Sequence, residues 1–114
     1  MMATIEMSRI GQITILTMNG RMDSINAARI QKSLMTLSQA ERQQLILNMS
    51  GVSYISAAGL RILRNLQNEI GEVNIAAPSD RVVEVMQITG LDVVYTLHRT
   101  QIGAIHTKRP VLNA

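Results

Sequence analysis

Two serines, Ser53 and Ser56, are the side chains whose type and position best suit chemistry in this chain. They lie in segment 48–56, which follows a short apolar run, and Ser56 directly precedes a predicted helix that begins at Ala57. The first N–H groups of a helix lack partners within the helix, and the helix dipole favours negative charge there, so phosphate is easily held. The layout indicates a surface switch more than an active site.

The same serines are poor candidates for catalysis. A nucleophilic serine needs an adjacent base, and no histidine or lysine lies in a segment that we expect to reach either one. The glycines nearby form neither a nucleophile elbow nor a phosphate-cradling loop. We therefore expect no enzymatic activity and no cofactor.

A metal centre is also not indicated. His98 and His106 are the only histidines, and no carboxylate cluster accompanies them. A metal site needs three or four converging ligands. The chain has no cysteine, which excludes disulfides, thiolate ligands and cysteine nucleophiles. We expect two exposed histidines without a metal.

Composition points to one domain with an aliphatic core. The chain has 114 residues, two tyrosines and neither phenylalanine nor tryptophan. Residues 1–97 hold eight basic and eight acidic residues, so the net charge of +3 comes from Arg99, Lys108 and Arg109. Scarce aromatics and a neutral body argue against nucleic-acid binding.

The sequence also carries no sign of a membrane segment. There is no basic start followed by an apolar run, as in a signal peptide. No stretch approaches the roughly 20 apolar residues that a spanning helix needs. We expect a cytoplasmic protein without direct membrane insertion.

The first part of the chain predicts a hairpin followed by a helix. Segments 3–9 and 12–18 are β-rich and Gly11 separates them. The Asn19–Gly20 pair predicts a turn. A surface helix follows, with Ser24 or Asn26 as its cap and apolar residues at helical spacing: Ala27, Ile30, Leu34 and Leu37.

The second part predicts alternating strands and helices. Segment 45–47 reads as a buried strand that ends in a polar turn, and a helix over 57–70 ends at Gly71. Strand 73–77, a helix from 78–80 to 89–90 and strand 93–97 follow. The buried stripe of the second helix is predicted at Leu60, Leu63, Leu66 and Ile70.

This order predicts an α/β fold: a mostly parallel central sheet with an opening hairpin and helices packed on it. We place the domain at residues 1–100 and a basic, flexible tail at 101–114. Asp23 follows the second strand, where it is either a turn residue or a charged contact near the serine segment. Adjacency of the two segments depends on strand order.

Four segments together resemble the STAS domain, a family that includes bacterial anti-sigma-factor antagonists. They are Gly20–Asp23, the strand running into 48–55, the Gly59–Leu60 helix start and Ile88–Leu91. The resemblance covers about residues 4–98. It implies a protein that binds an anti-sigma factor, itself a serine kinase, and so frees a sigma factor. Serine phosphorylation of the antagonist blocks binding, and a phosphatase restores it.

The chain departs from the family at the switch. The family signature Asp-Ser-Ser/Thr-Gly-Leu is replaced by segment 56–60, Ser-Ala-Ala-Gly-Leu. Ser56 stands in place of the aspartate, Ala57 in place of the phosphoacceptor, and Asn48 in place of a strand-end aspartate, whereas Asp23 is kept. Either Ser56 accepts phosphate instead, or the protein is unphosphorylated and binding is regulated elsewhere. Ser56 also suits a helix cap, a role that does not exclude phosphorylation.

The resemblance also implies where a partner binds. We expect a surface around the second strand's end, the serine segment and the outer face of the second helix. Its residues are Asp23, Ser53, Tyr54, Ala57, Ala58, Arg61 and Arg64. Other STAS proteins are accessory subunits of membrane transport ATPase complexes or scaffolds in stress signalling, and these alternatives stay open.

Overall fold

The computed structural model describes residues 3–70 and 73–108. It has five strands and six helices over this part of the chain. The strands are β1 (Thr4–Ile10), β2 (Ile13–Met22), β3 (Leu45–Ile55), β4 (Asn74–Ala76) and β5 (Thr96–His98). The helices are α1 (Ala27–Met35), α2 (Gln39–Gln43), α3 (Ala57–Ile70), α4 (Asp80–Thr89), α5 (Leu91–Val94) and α6 (Gln101–Lys108).

The strands form one sheet in the order β1-β2-β3-β4-β5. β1 and β2 are antiparallel, and all later neighbours are parallel. The hairpin turns at Gly11, whose φ of 60° is readily adopted by glycine. The predicted fold class and opening hairpin are confirmed.

β2 and β3 are both longer than the sequence predicts. β2 continues through the Asn19–Gly20 pair, so the predicted turn there is wrong. β3 continues from Leu47 to Ile55, so the predicted polar turn is wrong as well. The reason is burial, because Met49, Val52 and Ile55 all reach the core. Two register shifts absorb the uneven spacing along the β2–β3 pair.

Helix α3 begins and ends where the sequence predicts, at Ala57 and Ile70. Its buried residues are Gly59, Ile62, Leu63 and Leu66. Leu60 and Ile70 are only half-buried, so the predicted stripe is rotated toward Ile62. The predicted terminal Gly71 lies outside the described residues.

Three short helices, α2, α5 and α6, were not predicted. α2 carries a capping box in which Ser38 and Glu41 exchange hydrogen bonds with each other's backbone N–H. α5 occupies the start of the predicted strand 93–97, and only Thr96–His98 is a strand. α5 forms because Gly90, at φ 81°, ends α4 and starts a new turn.

α6 corrects the prediction for the C-terminal tail. Residues 101–108 are helical, and Ala104 is buried against Ile13, Ile15, Ile46 and Ala76. A flexible tail from residue 101 is therefore wrong over this stretch, and 109–114 lie outside the described residues. α6 covers one face of the sheet, while the larger core lies on the other.

The larger core is aliphatic apart from one residue. It joins Leu16, Leu47, Leu63 and Val82 with many similar side chains, as composition predicts. Tyr95 is the exception, since its ring is buried and its hydroxyl donates to the carbonyl of Leu63. Burial raises the pKa of Tyr95 well above its usual range.

Across residues 3–70 and 73–108, no helix has both the length and the apolar character needed to cross a bilayer.

Candidate functional site

The carboxyl ends of β2 and β3 lie side by side. Arg21 pairs with Tyr54 and Met22 with Ile55 in the parallel register. Asp23 directly follows β2, and Ser56 directly follows β3. The adjacency that the sequence left to strand order is therefore present, and it joins the loop after β2 to the start of α3.

Ser56 connects this strand end to α3. Its backbone N–H donates to the carbonyl of Met22 at 2.9 Å, and its hydroxyl donates to the same oxygen at 3.2 Å. The hydroxyl also accepts from the N–H of Gly59 at 3.3 Å, which is the geometry of a helix cap. The half-buried side chain is therefore committed to two backbone groups.

Gly59 sets how closely α3 approaches β2. The residue is buried, and a Cβ built on it would lie 2.4 Å from the carbonyl oxygen of Met22 and 2.9 Å from Cγ1 of Ile55. No larger residue fits without moving backbone. This close approach explains why glycine stands at position 59 in the Gly59–Leu60 start of α3.

Asp23 organises the loop between β2 and α1. Its Oδ1 accepts from the backbone N–H and from the side-chain amide of Asn26, each at 3.1 Å. Its Oδ2 accepts from Nε of Arg21 at 3.1 Å, forming an ion pair. The backbone N–H of Asn26 and the Arg21 guanidinium hold the pKa of Asp23 below its usual value. The side chain is 14% exposed, so its oxygens mainly accept hydrogen bonds within the loop and make little contact with solvent.

Asn26 fastens the same loop to the N-terminal strand. It is buried, its Oδ1 accepts from the N–H of Ala3 at 3.2 Å, and its Nδ2 donates to the carbonyl of Arg21 at 3.1 Å. It occupies the cap position of α1, but its side chain makes no capping bond there. The predicted cap role of Asn26 is wrong because its amide holds the loop instead.

Arg21 is the residue that sequence reasoning missed. Its guanidinium carbon lies 4.2 Å from the ring centroid of Tyr54, while Nε holds Asp23. The arginine thus bridges the ends of two neighbouring strands. Its presence in the segment Gly20–Asp23 was the available signal, but pairing it with Tyr54 requires the strand register.

The outer face of α3 presents a second group of predicted residues. Ala57, Arg61 and Arg64 are exposed, whereas Ala58 is half-buried. Ala57, Arg61 and Arg64, but not Ala58, line a groove of about 200 Å³ between α3 and the α4–α5 corner. We call it the α3 groove, and its residues are Ala57, Leu60, Arg61, Arg64, Thr89 and Leu91.

The predicted site therefore has two parts joined by Ser56. Tyr54 and Asp23 meet through Arg21 on one side. Ser53 is exposed nearby on β3, with its hydroxyl 3.4 Å from the carbonyl of Gly20. The α3 groove forms the other side.

Possible metal ligands do not gather in the described part of the chain. No group of three or more His, Asp or Glu side chains there could hold a metal ion. His106 is exposed as predicted, but His98 is half-buried and its Nε2 lies 2.7 Å from Oδ1 of Asn74. The expectation of an exposed His98 is wrong because it contributes to sheet packing.

The fold and the site thus define a small α/β domain with a capped, exposed helix start at the carboxyl edge of its sheet. The STAS domain family model matches residues 4–102. The chain belongs to the STAS domain family.

Similar proteins carry names of two kinds, anti-sigma factor antagonist and sulfate transporter family protein. A candidate anti-sigma factor antagonist, BtrV of Bordetella bronchiseptica, is 27% identical over 88 residues, covering 74% of this chain and 76% of that protein. The crystal structure of an anti-sigma factor antagonist from Mycobacterium paratuberculosis has a TM-score of 0.85 at 19% identity, covering 95% of each chain. A sulfate transporter family protein from Wolinella succinogenes has a TM-score of 0.73 at 20% identity, covering 82% of each chain. At these identities the two solved structures show a common fold.

Proposed function

We propose that this STAS domain works as an anti-sigma-factor antagonist: a non-catalytic module that binds an anti-sigma factor with serine-kinase activity. The observation that carries the proposal is the exposed face of α3, where Ala57, Arg61 and Arg64 lie beside the helix start capped by Ser56. The name of the BtrV relative supports the same class of function. We expect Asp23, Ser53, Tyr54 and Ala58 to contribute to the same surface or to hold it in shape.

The module is proposed to act by binding alone. The hydroxyl of Ser56 is held by the backbone of Met22 and Gly59, and no basic side chain donates to it or accepts from it among the described residues. A group in this state does not act as a nucleophile. We expect no turnover of nucleotides or esters by the purified chain.

Control by phosphorylation is the finer part of the proposal. Ser56 carries the one hydroxyl in segment 56–60, but transfer of phosphate to its Oγ would replace the proton that it donates to Met22 and so break that bond. The contacts therefore favour Ser56 as a capping residue over Ser56 as the acceptor. If phosphate is added there, it brings about 1.5 to 2 negative charges, and a phosphatase would be needed to reverse the change.

Binding is best tested by isothermal titration with the anti-sigma factors encoded in the same genome as this chain. The variant Arg61→Glu/Arg64→Glu should lose at least about tenfold in affinity, because two rim cations become anions. Its melting temperature should stay close to that of the natural chain, because exposed substitutions shift stability little.

A matched control is Arg9→Glu/Lys32→Glu, which makes the same charge change at exposed positions on β1 and α1. It should bind normally. Equal loss in both double variants would mean that net charge matters rather than this surface. No affinity for any anti-sigma factor in the natural chain would contradict the proposed function.

Phosphorylation is tested by incubating the complex with ATP and locating phosphate by mass spectrometry. Phosphate on Ser56, together with weak binding of Ser56→Glu, would support the switch. Phosphate on another residue, or on none, would leave Ser56 as a cap. Ser56→Asp is less informative, since aspartate is itself a good helix cap.

The alternative role, as an accessory subunit of a membrane transport ATPase or a signalling scaffold, is tested in the same way. The likeness to the sulfate transporter family protein concerns the fold and does not favour that role. Binding to a transport ATPase and to no anti-sigma factor would establish it in place of the proposal.

A further inference from the structure

The α3 groove combines an apolar floor with a cationic rim. Leu60, Leu91 and the methyl group of Ala57 supply the apolar surface, and Arg61 and Arg64 lie along one side. No acidic residue lines the groove, and Asp92, the neighbour of Leu91 in the chain, is not part of the lining. Within residues 3–70 and 73–108 the one ion pair joins Arg21 and Asp23, so Arg61 and Arg64 form none there.

Two strongly exposed apolar side chains belong to the α4–α5 corner that closes the groove. Ile88 is 79% exposed and Val93 is 87% exposed, although each lies close in sequence to a lining residue, Thr89 or Leu91. A single exposed apolar residue needs no explanation. Neither side chain lines the groove, so the two add apolar surface to the α4–α5 corner and not to the groove itself.

The size of the groove limits what it can accept. Its volume of about 200 Å³ lies below the roughly 300–1,000 Å³ of small-molecule sites, so it suits one or two protruding side chains. Its α3 residues run from Ala57 to Arg64, about 10 Å along a helix axis at 1.5 Å per residue. That length matches two turns of a helix laid against it, with one or two anchors drawn from positions i, i+3 or i+4, and i+7 of one helix face.

We infer that the α3 groove receives an acidic amphipathic helix of the protein partner. One or two apolar side chains of that helix enter the groove, and its flanking carboxylates pair with Arg61 and Arg64. The inference rests on the proposed function for the identity of the partner, but the chemistry of the helix follows from the groove itself. Charge complementarity at the rim sets partner choice and association rate more than affinity.

Ala57 gives this inference a specific consequence. Its side chain forms part of the groove beside the two arginines, so a carboxylate at this position would pair with them and occupy the groove from within. Ala57→Glu should therefore weaken binding of an acidic helix. Ala57→Gln, which introduces a neutral side chain of the same shape as glutamate, should weaken it less.

The test uses two synthetic helical peptides of about 18 residues, long enough for measurable helicity. They share leucines at i, i+3 and i+7, and they carry either glutamates or lysines at the flanking positions. Titration into the isotope-labelled full chain, followed by NMR, should give saturable shifts at Leu60, Arg64 and Leu91 with the glutamate peptide. The lysine peptide should bind at least about tenfold more weakly, and Arg61→Glu/Arg64→Glu should reverse this order.

The outcomes separate this inference from the proposed function. Equal binding of both peptides, no binding of either, or shifts confined to another surface would overturn the groove inference. If the glutamate peptide binds the groove but no anti-sigma factor binds the chain, the groove inference stands and the proposed function fails. If an anti-sigma factor binds and the glutamate peptide neither binds nor competes, the proposed function stands and the groove inference fails.

Discussion

The guanidinium carbon of Arg21 lies 4.2 Å from the ring centroid of Tyr54, although 33 positions separate the two residues in the chain. The parallel register of β2 and β3 pairs them, and the same guanidinium holds Asp23 through Nε. One side chain therefore links a strand end, an aromatic ring and a loop carboxylate. Its removal should be felt at all three.

A double-mutant cycle should detect this link. Arg21→Ala and Tyr54→Leu should each destabilise the fold slightly, and the double variant should lose less than their sum by about 0.5 kcal/mol, the coupling typical of an exposed cation–π pair. Urea unfolding of the four proteins measures it. Strict additivity would mean that the stacking makes no energetic contribution.

Gly59 and Gly51 should respond very differently to the same substitution. A Cβ on Gly59 meets the backbone oxygen of Met22, which cannot easily move, whereas a Cβ on Gly51 meets the end of the exposed Asn19 side chain. Gly59→Ala should cost about 1–3 kcal/mol through overpacking, despite the better helix propensity of alanine. Gly51→Ala should cost much less, because the amide of Asn19 can rotate into solvent.

Thermal unfolding of both glycine variants measures this contrast. The double variant Gly51→Ala/Asn19→Ala serves as a control, since it removes the clashing amide and should recover most of any loss. Similar costs at both glycines would show that α3 has room to shift away from β2.

Ser56→Ala should destabilise the domain by about 1 kcal/mol through loss of the α3 cap. Ser56→Asp should keep most of this stability, because an aspartate carboxylate can accept from the N–H of Gly59 in the same way. Chemical denaturation tests both variants. A fully stable Ser56→Ala would mean that the bond from Gly59 contributes nothing net.

The stability contributed by Asp23 should depend on pH. Its pKa is held below the ordinary value of 3.8, first by the backbone N–H of Asn26 and also by Arg21. The contribution is therefore complete above pH 3.8 and is lost as pH falls through the lower, folded-state pKa. The natural chain should be more stable than Asp23→Asn at neutral pH, and the two should converge in strong acid.

Melting temperatures of the natural chain and Asp23→Asn across this pH range measure the effect. Asp80→Asn, at an exposed carboxylate of the first turn of α4, is a suitable comparison for the general effect of losing one negative charge. A constant difference between natural chain and Asp23→Asn down to strong acid would contradict the assigned ionisation.

Ala77 offers a stabilising substitution. Its φ of 56° places an alanine in the left-handed region at the end of β4, where its N–H donates to the carbonyl of His98. A left-handed conformation costs a residue with a Cβ roughly 1–2 kcal/mol. Ala77→Gly should relieve this cost and raise the melting temperature. Glycine loses more conformational entropy on folding than alanine, which offsets part of the gain. A lower melting temperature would mean that the methyl group packs favourably.

The parts of the fold that the sequence predicted are those with a strong periodic signal. The bounds of α3 were predicted correctly because a small capped start precedes a long amphipathic run. The short helices α2, α5 and α6 were missed because four to eight residues give too few periods to read. Ser38 and Glu41, three residues apart, were nevertheless a readable capping signature for α2.

The candidate site divides in the same way. Asp23 and Ser56 could be selected from sequence because Asp23 lies in the loop after a predicted strand and Ser56 directly precedes a predicted helix. Arg21 could not be assigned to Tyr54, because two register shifts lie between the start of the β2–β3 pair and this point. The α3 groove also depends on Leu91, whose place beside α3 follows from tertiary packing and not from any local pattern.

The strand order of the sheet is the same as the strand order of the chain. Each strand therefore meets a partner that has already left the ribosome, and no strand has to wait for a later one to fill a gap in the sheet. The hairpin of β1 and β2 can form first, and each following helix returns the chain to the growing edge. Every strand pairing therefore joins strands that are consecutive in the chain, which limits the length of loop that each pairing has to close.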